Sequence, residues 1–183
     1  MKKLGLAIFA AFALAACGGD ADEPVGAAPS TAASAPATTS TSAPGKAAPA
    51  VLRFKGSTLG GKPFDGTSLA GKRVVFWFWA PWCPKCQTEG PAVAKAAQKY
   101  AGQVVFVGVA GLDKSKPQMD RFVARTGTSG IIQLDDRTGD LYKHFKVTSQ
   151  SSYLFVAPDG GTDTATGPLD DDELSALVDR HTR

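Results

Sequence analysis

The apolar positions of this chain occur in short runs, separated by polar stretches with helical spacing. Residues 73–79, Arg-Val-Val-Phe-Trp-Phe-Trp, are apolar at every position after the arginine, which is typical of a central strand buried on both faces. A polar stretch of helical character follows over 84–100, and the next apolar run covers 104–109. This succession of strand, helix and strand predicts an α/β domain built on a central sheet.

The same alternation continues to the C-terminus. Residues 51–54 and 62–64 predict an N-terminal hairpin that turns at Gly60-Gly61. Residues 170–181 begin with acidic side chains, which suit the positive end of a helix dipole. Together these elements predict a mixed sheet covered by helices on both faces. The remaining predicted elements are helices over 116–126, 139–145 and 170–181 and strands over 131–134, 153–156 and 161–166.

Residues 18–50 show neither the periodicity of a strand nor that of a helix. They are mostly Ala, Pro, Ser, Thr and Gly, and residues 24–45 contain no charged or aromatic side chain. Such a segment cannot bury enough apolar surface to offset the entropy cost of ordering it, although its composition is also compatible with O-glycosylation. We therefore predict that residues 17–50, which begin with Cys17, form a disordered tether. Residues 51–183 are enough for one globular domain.

The first 16 residues have the organisation of an export signal. Lys2 and Lys3 give a positive start, residues 4–14 form an apolar core too short to span a bilayer, and small residues precede Cys17. The sequence Leu-Ala-Ala-Cys at 14–17 resembles the bacterial lipobox, whose cysteine is acylated after cleavage. We expect an extracytoplasmic protein anchored to the cell membrane by lipid on Cys17. The alternative is a plain secretory signal with an incidental cysteine.

The numbers of basic and acidic residues in this chain are nearly equal, which bears on the partners to be expected. The full chain has 20 basic and 17 acidic residues, and removal of residues 1–16 would leave 18 against 17. A nearly neutral domain gives no reason to expect a nucleic-acid partner. The sequence also lacks a phosphate-binding glycine loop and a nucleophile elbow, and we expect no cofactor and no bound metal.

The candidate chemistry lies in Trp-Cys-Pro-Lys-Cys at 82–86, directly after the apolar strand. Two cysteines separated by two residues can close a disulfide across the first turn of a helix, which predicts a reversible redox centre at Cys83 and Cys86. Disulfides persist outside the cytoplasm, in agreement with the export signal. A structural disulfide or a zinc site is the alternative, but zinc needs four ligands, and His144 and His181 lie at unrelated spacings.

Residues 76–84, Phe-Trp-Phe-Trp-Ala-Pro-Trp-Cys-Pro, with Glu89 and Pro91 in the helix that follows, resemble the thioredoxin family. The stretch 105–113 and the sequence Tyr-x-Phe-Val at 153–156 extend this resemblance. It is greatest to the exported DsbE/DsbF-like disulfide oxidoreductases of actinobacteria. The resemblance implies a thioredoxin-like fold, with a central mixed sheet flanked by helices and an N-terminal hairpin extension. It also implies thiol-disulfide exchange with exported proteins.

The positions of the two cysteines predict their roles. Cys83, at the helix start, faces unpaired backbone N–H groups, and Lys85 adds a positive charge, so the Cys83 thiolate is favoured as the attacking group. Cys86, one turn further along, should be more buried and act as the resolving thiol. Pro84 and Trp82 complete the motif, and Trp82 either packs against the domain or contacts substrate.

Trp77 departs from the thioredoxin pattern, which has a buried aspartate at this position, six residues before the first cysteine. Without that acid, proton removal from Cys86 must use water or another group. Glu89 lies three residues after Cys86, and we interpret it as a solvated helical carboxylate rather than a proton-handling group.

Ser151 is the second departure, because the family has a cis-proline here, in the loop that faces the redox pair. A cis bond before a residue other than proline costs roughly 2.5–4 kcal/mol, so we predict a trans Gln150–Ser151 bond. The loop residues Gln150, Ser151 and Ser152 are the candidate substrate-binding residues. Without the proline ring, the redox pair should be less shielded.

Three functions fit these observations. We favour an oxidoreductase that introduces or reshuffles disulfides in exported proteins, because a stabilised Cys83 thiolate makes the disulfide a better oxidant. The second is a reductase for apocytochrome c or another envelope thiol protein. The third is a copper-binding module of the same fold that uses both thiols and His144. The expected partners are exported protein thiols and disulfides, a membrane redox partner, and the membrane itself through Cys17.

Overall fold

The computed structural model describes residues 47–182, so the predicted signal, Cys17 and most of the predicted tether lie outside the described residues. Short 3₁₀ turns cover Ala50–Leu52, Gly66–Leu69 and Thr128–Gly130. The strands are β1 (Lys55–Ser57), β2 (Pro63–Asp65), β3 (Arg73–Trp79), β4 (Val104–Gly111), β5 (Ile132–Asp136), β6 (Ser152–Val156) and β7 (Thr162–Thr166). The helices are α1 (Pro84–Lys99), α2 (Lys116–Thr126), α3 (Asp140–His144) and α4 (Asp171–His181).

Five strands form the central sheet, in the order β5-β4-β3-β6-β7. β3 pairs parallel with β4 and antiparallel with β6, which makes the sheet mixed as predicted. The carboxyl ends of β3 and β4 therefore lie at the same edge as the amino end of β6. This edge brings together the residues that follow β3, those that follow β4 and those that precede β6.

Alternate side chains of β3 pack on opposite faces of the sheet. Trp77 and Trp79 join a core with α1, α2 and α4, whereas Phe76 and Phe78 join a second core with α3 and the N-terminal segment. These four aromatic side chains have no exposed surface. The continuous apolar run thus reflects a strand buried on both faces, which confirms the prediction from periodicity.

The predicted N-terminal hairpin exists but begins later than predicted. Residues 50–52 form a 3₁₀ turn, and the first hairpin strand is β1, whose residues pair antiparallel with β2 from Lys55↔Asp65 to Ser57↔Pro63. The prediction of a strand over 51–54 is wrong because Leu52 and Phe54 are buried against the second core rather than paired in a sheet. Their apolar character reflects that packing.

The helices of the described region are short. Within residues 47–182, none has the length and apolar character needed to cross a membrane.

Candidate active site

Cys83 and Cys86 form a disulfide at the start of α1, with their Cα atoms 5.3 Å apart. Cys83 is the N-cap of the helix, and its sulfur accepts the backbone N–H of Cys86 at 3.2 Å. Pro84 occupies the first turn, where its missing N–H leaves no helical bond unmade, and this turn contains no acidic residue. Cys83 is 3% exposed and Cys86 is fully buried, so an incoming thiol can approach Cys83 alone.

The other residues of the motif present surface around Cys83. Pro84 and Lys85 are exposed. Trp82 is 51% exposed, and its indole Nε1 donates a hydrogen bond of 3.1 Å to the carbonyl oxygen of Leu112, in the loop after β4. The indole is therefore held by one polar contact while much of its ring faces solvent.

Glu89 is buried in the first half of α1, and the interpretation of this residue as a solvated carboxylate is wrong. Only 2% of its surface is exposed. Its Oε1 accepts the indole N–H of Trp77 at 2.6 Å and the hydroxyl of Ser151, and its Oε2 accepts the backbone N–H of Leu169 at 3.1 Å. These partners come from β3, the loop before β6 and the segment before α4, so tertiary contacts remove the side chain from solvent.

Burial changes the acidity of this group. It raises the pKa of the Glu89 carboxyl above its ordinary value of 4.5, while the hydrogen bonds from Trp77 and Leu169 oppose the shift. Burial, reinforced by the nearby Glu89, also raises the pKa of the Tyr153 phenol well above its usual value. The Tyr153 hydroxyl is buried and has no hydrogen-bond partner within the described part of the chain. Because Glu89 is one turn after Cys86, both side chains share one face of α1.

A cavity of about 610 Å³ adjoins Glu89, between α1 and the segment that leads into α4. Ala92 lines it from α1, and Leu169 lines it from the opposite side. Two further lining residues, Lys95 and Asp171, form an ion pair of 2.7 Å that joins the two helices. The cavity thus reaches the position of Glu89 on α1.

The loop before β6 corrects a second prediction, because the Gln150–Ser151 peptide bond is cis rather than trans. Tertiary contacts hold Ser151 in this position. It is fully buried, its hydroxyl bonds to Glu89, and its carbonyl accepts the N–H of Gly167 at 3.0 Å. Sequence reasoning about an isolated peptide bond could not include these partners. Of the three candidate substrate-binding residues, Gln150 and Ser152 retain partial exposure, whereas the side chain of Ser151 has none.

His144 is not brought to the cysteines. Its ring packs against Phe54 and Phe145 on the α3 side of the sheet, and its Nε2 lies 2.9 Å from the carbonyl oxygen of Val51. Between residues 47 and 182, no group of three or more His, Cys, Asp or Glu side chains could hold a metal ion. His181 instead pairs with Asp163 at 2.7 Å.

Four residues that sequence reasoning did not select also belong to this region. Leu169 donates its backbone N–H to Glu89, and Tyr153 lies near the same carboxylate. Leu112 accepts the hydrogen bond of Trp82. Gly167 lies so close to Glu89 that a Cβ atom there would clash with the carboxylate. A glycine before Pro168 carries no local signal of such a contact. Only the fold identifies these residues.

The comparisons with known proteins agree with this architecture. The family model for Redoxin matches residues 34–160, more than half of the chain. The soluble secreted antigen MPT53 of Mycobacterium tuberculosis is 36% identical over 130 residues, which cover 69% of this chain and 73% of MPT53.

Two solved structures extend the similarity to the fold. MTB DsbF, determined in mixed oxidised and reduced forms, is 45% identical with a TM-score of 0.70, and the match covers 74% of this chain and 99% of DsbF. A secreted Mycobacterium tuberculosis disulfide oxidoreductase homologous to E. coli DsbE is 35% identical with a TM-score of 0.67, and the match covers 71% and 97% of the two chains. This chain therefore belongs to the redoxin family and is a thiol-disulfide oxidoreductase with a thioredoxin-like fold.

Proposed function

We propose that Cys83 and Cys86 are the redox pair and that the protein oxidises thiols of exported proteins. A substrate thiolate attacks the Cys83 sulfur, which breaks the Cys83–Cys86 bond and leaves a mixed disulfide on Cys83. A second substrate thiolate then attacks the substrate sulfur of that mixed disulfide and releases Cys83. Two electrons pass from the substrate to the enzyme, whose cysteines end reduced. The small exposed area of Cys83, compared with none for Cys86, supports this assignment of the attacked sulfur.

Glu89 handles the proton of Cys86 in this scheme. When Cys86 leaves as a thiolate, the Glu89 carboxyl donates a proton, and in the reverse direction the carboxylate accepts it. Burial raises the pKa of Glu89, which keeps more of the protonated donor present towards neutral pH. The cavity beside Ala92 gives the carboxyl a route for proton exchange with solvent.

The environment of Cys83 is the observation that supports the oxidising direction. The sulfur is at the N-cap of a 16-residue helix and faces the N–H of Cys86, and no acidic residue lies in the first turn. Helix N-terminal N–H groups and the nearby Lys85 charge stabilise a thiolate, which stabilises the reduced enzyme. A disulfide whose reduced form is stabilised is a stronger oxidant.

We place this activity outside the cytoplasm. The export signal over 1–16 and the lipobox-like cysteine support a protein tethered to the membrane through lipid on Cys17, with residues 17–50 as a tether to a domain over 51–183. The relative MPT53 is itself a soluble secreted antigen. After each cycle the reduced pair needs an electron acceptor, for which we propose a membrane redox partner.

One observation favours a second candidate, a thiol reductase. A reductase needs a base near its resolving thiol, and the buried Glu89 carboxyl, one turn after Cys86, can fill that role where Trp77 replaces the thioredoxin aspartate. The same proton transfer serves both directions, so the reduction potential must distinguish them.

The two single cysteine variants test the proposed roles. Cys83→Ser should abolish exchange with a reduced cysteine-containing protein, because no accessible sulfur remains for attack. Cys86→Ser, incubated instead with a disulfide-bonded protein, should accumulate mixed disulfides on Cys83, because the thiol that would release them is absent. The complexes are measured by nonreducing gels and mass spectrometry, with the double variant as the control. If Cys86 alone reacted, or reacted first, with an alkylating agent in the reduced protein, the assigned roles would be reversed.

A further inference from the structure

Two large apolar side chains are exposed within residues 47–182, and the two residues that carry them are joined by a hydrogen bond beside the proposed redox pair. Trp82 is 51% exposed and Leu112 is 46% exposed. All other large apolar side chains of the described region are less exposed. A single exposed apolar side chain is ordinary on a protein surface. Two such residues hydrogen-bonded to each other beside a reactive sulfur are not, so the exposure of Trp82 and Leu112 needs an explanation.

The register of the sheet brings these residues together. Trp79 at the end of β3 pairs with Ala110 near the end of β4, and the two strands are parallel. Trp82 follows the first strand and Leu112 follows the second, so both leave the sheet at the same edge. The hydrogen bond from Trp82 Nε1 to the Leu112 carbonyl oxygen then fixes one residue against the other.

Leu112 has a backbone conformation that leucine rarely adopts. Its φ of 56° lies in the left-handed region, where a Cβ atom is unfavourable and glycine is preferred. The only other residue in the described part with a positive φ that is not glycine is Lys146. A strained backbone that holds an apolar side chain in solvent is typical of a site with a binding role.

The charged neighbours of Leu112 are occupied elsewhere. The Asp113 carboxylate accepts the N–H of Ser115 at 2.6 Å, and the Lys114 ammonium donates to the carbonyl oxygen of Arg137. Both charged side chains are therefore held by their own partners, while the Trp82 and Leu112 side chains expose apolar surface beside them. Burial of that apolar surface favours an apolar ligand group.

We propose that Leu112, together with Trp82, determines specificity by binding an apolar side chain next to the reacting cysteine of an extended protein substrate. The inference rests on the proposed function, because the mixed disulfide on Cys83 fixes where the substrate lies. Trp82 is covalently adjacent to Cys83, so a residue neighbouring the substrate cysteine comes within reach of the apolar surface. Folding buries most apolar residues, but those beside a cysteine are still accessible in newly exported, unfolded chains. Such chains are the substrates that an oxidase must recognise.

Two reduced peptides test the proposal. Each carries two cysteines and differs only in the residue next to the first cysteine, leucine in one and serine in the other. With the oxidised wild-type enzyme as the stoichiometric oxidant, we expect the second-order rate constant of peptide oxidation to be roughly three- to tenfold higher for the leucine peptide, because about half of a leucine side chain can be buried on the surface. In Leu112→Asn this ratio should fall to about one, through loss of activity on the leucine peptide.

Lys146→Asn is the matched control. It also places asparagine, which tolerates the left-handed conformation, at a positive-φ position, but far along the chain at the end of α3. The peptide ratio should stay at the wild-type value in this variant. Leu112→Gly replaces the asparagine variant if the latter does not fold.

The possible results distinguish the role of Leu112 from the proposed redox function. A ratio that stays at the wild-type value in Leu112→Asn and Leu112→Gly, or a wild-type ratio near one, overturns the role of Leu112 while leaving the redox assignment intact. Failure of the wild-type enzyme to oxidise either peptide overturns the proposed function and the inference with it.

Discussion

The indole Nε1 of Trp77 donates a hydrogen bond of 2.6 Å to Oε1 of Glu89. Trp77 occupies the strand position where thioredoxins have a buried aspartate, and Glu89 supplies a buried carboxyl from the neighbouring helix. Ser151, which replaces the family cis-proline, bonds to the same carboxylate oxygen. The two departures from the thioredoxin pattern, Trp77 and Ser151, therefore meet on Glu89 in one hydrogen-bonded network, in which the buried carboxyl comes from α1 rather than from β3.

The first prediction concerns the carboxyl itself. Glu89→Gln keeps the size and an oxygen acceptor for Trp77 but cannot exchange a proton with Cys86. We expect the steps that make or break the Cys86 bond to slow by roughly a hundredfold, the usual contribution of a general acid or base. Stopped-flow exchange with a reduced peptide across pH measures the effect. Asp172→Asn, at an exposed carboxylate on α4, is the control, and equal rates in both variants would exclude proton transfer by Glu89.

The second prediction concerns stability and pH. The pKa of Glu89 is raised in the folded protein, so the native state binds a proton that the unfolded chain has already released. The contribution of Glu89 to stability should therefore be greatest below pH 4.5, the ordinary pKa of its carboxyl. It should fall as the pH rises towards the raised pKa of the folded protein. Urea unfolding of wild type and Glu89→Gln at several pH values isolates this contribution. A difference between the two proteins that did not change with pH would contradict the prediction.

The third prediction uses Gly167, whose missing side chain leaves room for Glu89. An added Cβ would clash with Glu89 Oε2 and lie 3.2 Å from the Ser151 Cβ. Gly167→Ala should lower the free energy of unfolding by about 1–3 kcal/mol, the usual cost of overpacking, and also slow exchange. Gly130→Ala is the matched control, because nothing lies within 4 Å of its added Cβ, and we expect a change of at most about 0.5 kcal/mol. Equal losses in both variants would show that Gly167 does not constrain the carboxyl.

The regular elements could be predicted because their signals are local. β3 and α2 begin and end at the residues that periodicity predicts, Arg73–Trp79 and Lys116–Thr126. Buried strands and capped helices carry their pattern within a few residues. The strands β1 and β2 have three residues each and are largely exposed, so no alternation marks them, and the prediction placed the first strand too early.

The network around Glu89 could not be predicted, for a physical reason. A single glutamate in a polar helix gives the same local pattern whether it faces solvent or the core. Its burial depends on Ser151 and Leu169, which are 62 and 80 residues away along the chain. The same tertiary contacts hold the loop at Ser151, where a rule for isolated peptide bonds predicted the wrong isomer. Sequence patterns located the two cysteines that form the disulfide, whereas the burial of Glu89 could be found only from the fold.

The fourth prediction concerns the proposed anchor. Cys17→Ser removes the sulfur that we propose is acylated, so the variant should remain as unprocessed precursor or appear in the medium. Fractionation of cells that produce wild type and variant, with intact-mass analysis of the N-terminus, measures both results. Cys83→Ser is the control, because it changes a thiol without changing the signal. A variant processed and membrane-bound like the wild type would contradict lipid attachment at Cys17.

The last prediction decides the direction of electron flow. Because helix N–H groups and Lys85 stabilise the Cys83 thiolate, we expect a reduction potential nearer to about −120 mV, as in strong oxidants, than to the value of about −270 mV found for thioredoxin. Equilibration with glutathione or dithiothreitol buffers, read by alkylation and mass, gives this potential. Lys85→Gln should make it more negative by roughly 10 mV, since a charge near a helix N-terminus contributes about 0.5 kcal/mol and 30 mV corresponds to about 1.4 kcal/mol. A wild-type potential near the thioredoxin value would favour the reductase, with Glu89 then acting as the base that activates Cys86.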